Sequence, residues 1–77
     1  MSNYKELLAR VSFDPAVCHG KAHIRKTRVL VSALLDSLAD GESEKQILRE
    51  YPSLQEADIK AALAYAATLA REELLVA

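Results

Sequence analysis

Residues 43–63 read SEKQILREYPSLQEADIKAAL, and the reading of this stretch decides the fold. Ser43 and Gln46 stand at the spacing of a capping box, in which a hydroxyl and an amide each satisfy a free backbone donor at a helix start. Ile47, Leu48 and Tyr51 follow as one inner face, and Pro52 stops the run because it has no N–H to donate. Ser53 and Glu56 repeat the box spacing, and a second helix is expected from about Gln55 towards Leu75. Its apolar stripe is Ile59, Leu63, Ala66, Ala70 and Leu74, with the alanines implying close helix packing. Two helices joined by about four residues have the spacing of a helix-turn-helix, although periodicity does not by itself separate that motif from any small three-helix domain.

Working back towards the N-terminus, Val31, Leu34, Leu35 and Leu38 fall at i, i+3, i+4 and i+7, the stripe of another helix. Asp40-Gly41 ends it, since glycine takes the left-handed conformation that a C-terminal cap needs. Before it, AHIRKTRVLV (22–31) suggests two short strands around Lys26-Thr27, with Ile24, Val29 and Val31 buried. RVSF (10–13) alternates apolar and polar, placing Val11 and Phe13 on one face of a half-buried strand that Asp14-Pro15 ends. NYKELLAR (3–10) suggests a short helix with Tyr4, Leu7 and Leu8 on one side, too short to stand without docking on something.

The chain is 77 residues long, 51% apolar, with twelve Leu and thirteen Ala against two Gly and two Pro. That composition favours an ordered, mainly helical single domain over 1–77, with an N-terminal part (1–31) and a helical part (32–77). Net charge is −1, but residues 1–31 hold six Lys/Arg against two Asp/Glu (+4), and residues 32–77 hold four against nine (−5). One basic and one acidic surface follow, which either a self-complementary dimer or a foreign partner would satisfy. A single cysteine, Cys18, excludes an internal disulfide and fits a reducing compartment. The N-terminus has no apolar run suited to a signal peptide and no stretch approaches a membrane span, so a cytoplasmic location is expected.

The positive charge is concentrated in CHGKAHIRKTR (18–28), where Lys21, Arg25, Lys26 and Arg28 stand together without an acid. Nucleic acid, an acidic protein surface or a bound anion would each suit such a cluster, and a solvated hairpin rim is the bland alternative. Buried Lys and Arg need partners that this segment lacks, so the four are expected to form one exposed basic edge. Arg25 or Arg28 has a second use, holding the helical half through Asp36 or Asp40. Lys60 adds a cation near the start of the last helix, whose first turns (QEADIK, 55–60) are otherwise acidic through Glu56 and Asp58. That acidity argues against base reading by this helix, because nucleic-acid affinity comes chiefly from neutralising phosphates.

Cys18, His19 and His23 lie within six residues, but their spacing fits no common zinc pattern, and a buried cysteine with two surface imidazoles is the simpler expectation. Adjacent Cys18 and His19 do not suit a nucleophile and its base, Gly20 and Gly41 are isolated, and the paired acids lie on helices as solvated faces. No enzyme, metal or cofactor is expected. The last helix ends in ATLAREELLVA, which extends past the core a domain of this size can offer. Leu69, Leu74, Leu75 and Val76 are left for a partner to cover, unless that end simply frays.

Taken in order, Asp14-Pro15, CHGK, IRKTR, the Gly41 turn, YPSL and DIKAALAYA resemble domain-of-unknown-function family 433, over roughly residues 10–67. The resemblance implies a short N-terminal β-strand or β-hairpin followed by a three-helix, homeodomain-like helix-turn-helix core. It also implies an antitoxin of a type II toxin–antitoxin pair, encoded beside a PIN-like ribonuclease toxin that it binds; operator binding through the basic edge is a further role that the charge pattern leaves open. Three positions depart from the family pattern: Lys26 stands where glycine is usual, Ala22 where proline is common, and Gln55 where a hydroxyl commonly caps the last helix. These put the hairpin geometry in question, with Ser53 available to cap in place of Gln55. The expected function is that antitoxin, acting as a homodimer. The alternatives are a stand-alone helix-turn-helix regulator of DNA, or a dimerisation and interaction module that binds no DNA.

Overall fold

The structure, a computed structural model, describes the backbone of residues 4–76 and the side chains of residues 4–71. Its elements are α1 (Tyr4–Leu8), β1 (Val11–Ser12), β2 (His23–Ile24), α2 (Val31–Ala39), α3 (Glu44–Glu50) and α4 (Glu56–Val76). The chain is therefore mainly helical, with a two-stranded antiparallel sheet near its N-terminus. α2, α3 and α4 pack on one another, and α1 and β1 lie against α4. No helix among the described residues is long and apolar enough to cross a membrane.

The helix ends follow their local chemistry. Gly41, at φ +90°, lets its own N–H reach Leu38 O (3.0 Å) while Glu42 N–H reaches Ser37 O (3.1 Å), the paired bonds of a Schellman cap. The capping box of α3 is complete: Gln46 N–H donates to Ser43 Oγ at 3.2 Å, and Ser43 N–H donates to Gln46 Oε1 at 2.8 Å. At α4 the expected Ser53–Glu56 box is replaced. Asp58 accepts the Gln55 N–H at 2.8 Å through Oδ2, so an acid in the first turn bonds back to the residue that precedes the helix.

The core runs from β1 and β2 through all three packed helices: Val11, Ile24, Val31, Leu34, Ile47, Leu54 and Ile59, with Ala61 and Ala62. Leu35, Leu38, Leu48 and Tyr51 pack against it from the expected stripes. α1 docks as its length requires. Leu7 packs on the core, while Tyr4 donates its hydroxyl hydrogen to Ala64 O at 2.8 Å and meets Thr68 Oγ1 at 3.0 Å. Arg71 donates to the same hydroxyl and lies over the Tyr4 ring, 5.3 Å from its centroid. The Thr68 hydrogen bond and then the Arg71 guanidinium hold the Tyr4 hydroxyl below the usual tyrosine range, against burial that raises it.

Three expectations are corrected. The strands that pair are β1 and β2, with Val11 opposite Ile24 and Ser12 opposite His23; the second half of the expected 22–31 hairpin contributes a single bridge, His23 with Leu30. Phe13 does not share the buried face of Val11: β1 ends at Ser12, and Phe13 is exposed with its ring tilted at 54° against that of Tyr65. Leu63 is 47% exposed, whereas Ile59 on the same stripe is fully buried. The positions of α4 that enter the core are Ile59, Ala61 and Ala62, while Leu63 stays at the surface.

Candidate functional site

The basic segment forms a tight turn. Thr27 N–H donates to Ile24 O at 3.0 Å, the Thr27 hydroxyl donates to the same oxygen at 2.7 Å, and Val29 N–H donates to Thr27 Oγ1 at 3.0 Å. Ile24 N–H closes the loop onto Val29 O at 2.9 Å. Lys26 occupies the third turn position at φ +68°, the place where a type II turn calls for glycine. The chain thus keeps the glycine-type geometry with a lysine in it. A left-handed non-glycine residue costs roughly 1–2 kcal/mol, and the three hydrogen bonds made by Thr27 hold the turn against that cost.

Arg25 is fixed from its backbone outward. Its N–H donates to Arg10 O at 2.7 Å and its Nε to Ala9 O at 2.9 Å, tying the turn to the α1–β1 junction. No ion pair joins Arg25 or Arg28 to Asp36 or Asp40 among the described residues; the ion pair present is Arg10 with Asp58, at 2.9 Å. Asp58 is 5% exposed, one oxygen on Arg10 and the other on Gln55 N–H. Of the two acids that opposed phosphate at the start of α4, one is therefore buried and neutralised, and Glu56 alone faces solvent.

Arg25, Lys26 and Arg28 stand as an exposed ridge between two polar grooves. One, of about 450 Å³, lies between Arg10, Arg25 and Lys26 and the start of α4 at Ser53 and Gln55. The other, of about 440 Å³, runs past Asp14, His23 and Arg28. Lys21 is exposed as expected, but it rims a third, apolar groove between α2 and α4 and lines neither of these two. Lys60 is also apart: it follows Asp58 by two residues, about 200° round the helix, and faces solvent. Sequence reading missed Arg10. The pairing of Val11 with Ile24 puts Arg10 beside Arg25, and that register becomes visible only once β1 is paired with β2.

The neighbouring Cys18–His19–Gly20 turn is left-handed throughout, with φ of 53°, 56° and 79°. Cys18 is half-buried and its thiol donates to Arg28 O at 3.4 Å, bracing the ridge from behind. His23 is not the surface imidazole expected: it is 2% exposed, with Nδ1 3.0 Å from Lys21 O. A carbonyl oxygen only accepts, so that nitrogen carries the proton. His19 is exposed, and no three His, Cys, Asp or Glu side chains converge as metal ligands do among the described residues. Of the apolar partner residues, Leu69 is 44% exposed on α4. The side chains of Leu74, Leu75 and Val76 lie outside the described residues.

Comparison with the curated proteins gives no match. A crystal structure of a DUF433 member protein from Anabaena variabilis ATCC 29413 is similar at 34% identity and a TM-score of 0.74, over 91% of this chain and 70% of that one. Residues 11–66 match the family described as protein of unknown function (DUF433). That span takes in both strands, the basic turn and the packed part of all three core helices, and on it the chain belongs to the DUF433 family.

Proposed function

We propose that this protein is a non-enzymatic antitoxin of a type II pair. It binds and neutralises a PIN-like ribonuclease toxin in the cytoplasm and contacts its own operator DNA through the ridge Arg25–Lys26–Arg28. The toxin rests on what the family resemblance implies. The DNA contact is supported by one observation above the rest: a lysine is held at φ +68° at the apex of an exposed basic turn, where glycine would relieve the strain and lose the charge. The neutralisation of Asp58 by Arg10 supports it further, because it removes a buried negative charge from the phosphate-facing side of the α3–α4 pair. A homodimer would present the ridge twice.

The test has two arms. Co-expression with the product of the adjacent reading frame is expected to give a soluble complex with suppressed ribonuclease activity; an unrelated neighbouring gene, or no co-purification, removes the toxin. Operator binding is expected to weaken with salt at about −0.9 per phosphate met, so about −2.7 for three contacts in each copy. Charge reversal at Lys26 and Arg28 should weaken binding alike for all sequences and flatten that slope by about one for each residue. Salt-dependent DNA binding without any toxin would favour the stand-alone regulator, and no DNA binding at all would favour an interaction module.

A further inference from the structure

Arg25 enters the ridge with its guanidinium already tied, and the groups that tie it stand at the end of α1. Ala9 and Arg10 continue the turn of α1, their N–H groups on Lys5 O at 3.1 Å and Leu7 O at 3.0 Å. A helix has no donors of its own for the carbonyls at its C-terminal end, and the negative end of its dipole lies there. Arg25 supplies the donors and the positive charge together. Its Nε donates to Ala9 O at 2.9 Å, and its backbone N–H donates to Arg10 O at 2.7 Å. The second bond continues the strand pairing, since Arg25 and Arg10 adjoin the paired Ile24 and Val11. The first depends on where α1 puts the Ala9 carbonyl.

α1 does not hold that place unaided. It has five residues, none of them buried, far short of what an isolated helix needs. Two contacts fasten it and its exit to α4: Tyr4 donates to Ala64 O at 2.8 Å, and Arg10 pairs with Asp58 at 2.9 Å. The anchors are six residues apart on the N-terminal side (10 less 4) and six apart on α4 (64 less 58). At about 1.5 Å per residue both spans are about 9 Å, so the two helical stretches match, and their reversed order lays α1 antiparallel along α4. Thr68 Oγ1, 3.0 Å from the Tyr4 hydroxyl, and Arg71 secure the same anchor from further along α4.

We infer that Tyr4 is a positioning residue for the basic ridge: by anchoring α1 on α4 it sets the Ala9 carbonyl that holds the Arg25 guanidinium ready for a DNA phosphate. This rests on the DNA contact of the proposed function, and it brings in residues 4–10, which lie outside the 11–66 span of the family match. With Nε on Ala9 O, Arg25 keeps both terminal amino groups, the pair that a guanidinium offers to a phosphate. A long side chain loses rotamer freedom on binding, and one that is already tied has less to lose. Arg28 gives the contrast on the same ridge. Its carbonyl accepts from Cys18, but among the described residues no hydrogen bond or ion pair holds its guanidinium.

Two measurements on the full chain test the role of Tyr4, whose substitution leaves the number of cations on the ridge unchanged. Hydrogen exchange followed by nuclear magnetic resonance is expected to show the Arg25 Nε–H protected in the wild type. In Tyr4→Ala it should exchange about tenfold faster or more, while the Arg25 backbone N–H and the N–H of buried Ala62 keep their rates. Affinity for a mixed-sequence DNA duplex should fall about two- to tenfold in Tyr4→Ala with the salt slope kept, whereas Arg25→Gln should flatten the slope by about one. In the Arg25→Gln background the Tyr4 substitution should cost nothing more. Tyr4→Phe keeps the ring over which Arg71 lies and loses only the hydroxyl, so it should move both readouts the same way by less. An Arg25 Nε–H indifferent to Tyr4, an Ala62 N–H that loses protection with it, or a duplex affinity that falls equally with and without Arg25 would each overturn the inference and leave the DNA contact standing. A wild type that binds no duplex would overturn both.

Discussion

Lys26 shows what one residue can report. The sequence leaves two outcomes open at a position where the family usually carries glycine: the turn changes, or the lysine takes the glycine conformation. It takes the conformation, at φ +68°, under hydrogen bonds from Thr27 that do not depend on the residue at 26. Lys26→Gly should therefore stabilise the protein by about 0.5–1 kcal/mol, the relief of left-handed strain less the larger entropy of glycine in the unfolded chain. Urea denaturation measures this, and an unchanged or lowered midpoint would mean that the strain is not there. If the lysine is kept for its charge, the same variant should lose operator affinity as it gains stability. Asn at this position tolerates the geometry equally well and should behave likewise, separating charge from backbone.

At the scale of the helix, the stripe on α4 divides: Ile59 enters the core and Leu63 faces solvent. Apolar spacing reports which face of a helix avoids water and says nothing of what covers it. In α2 and α3 the two coincide, because short helices in a small domain have only the domain to pack on: Val31, Leu34 and Ile47 are buried as their spacing implies. α4 is longer than the core, and beside Ile59 its buried positions are held by Ala61 and Ala62, whose small side chains give periodicity little contrast. Leu54 was also beyond reach. It is 7% exposed and lies in the link between α3 and α4, outside any periodic run. The basic ridge was legible residue by residue, since four cations without an acid must find water, but Lys21 and Arg10 exchange places with respect to it because strand pairing, and not sequence distance, sets who stands beside Arg25. The corrected faces make a sharp contrast. Ile59→Ala should cost about 2–5 kcal/mol, whereas Leu63→Ala should stay within about 0.5 kcal/mol. Equal losses in thermal melts of the two variants would return Leu63 to the core.

Over the whole molecule the acids of the helical half include a cluster at the corner where α2 hands over to α3, with Asp40, Glu42 and Glu50 near one another. Glu42 sits at that corner, one residue beyond the Gly41 cap. Its Oε1 is buried without a hydrogen-bond partner, though the carboxyl as a whole remains near water. Burial first, then the neighbouring Glu50 and then Asp40 raise the Glu42 pKa above the ordinary glutamate value. The sign follows from linkage. A group whose pKa is higher folded than unfolded favours the fold while it is protonated in both states, below its unfolded value, and loses that contribution as pH rises through the folded value. Wild-type stability should thus carry a component that falls from acid towards neutral pH, working against the carboxylates elsewhere. Glu42→Gln keeps the shape and removes the ionisation. Its melting temperature should exceed that of the wild type at pH 7, with the gap closing as the pH is lowered towards the unfolded glutamate value. A gap that stayed constant with pH would show that the carboxyl at 42 is solvated like any surface acid, and the acidic corner would then be a surface with no cost to the fold.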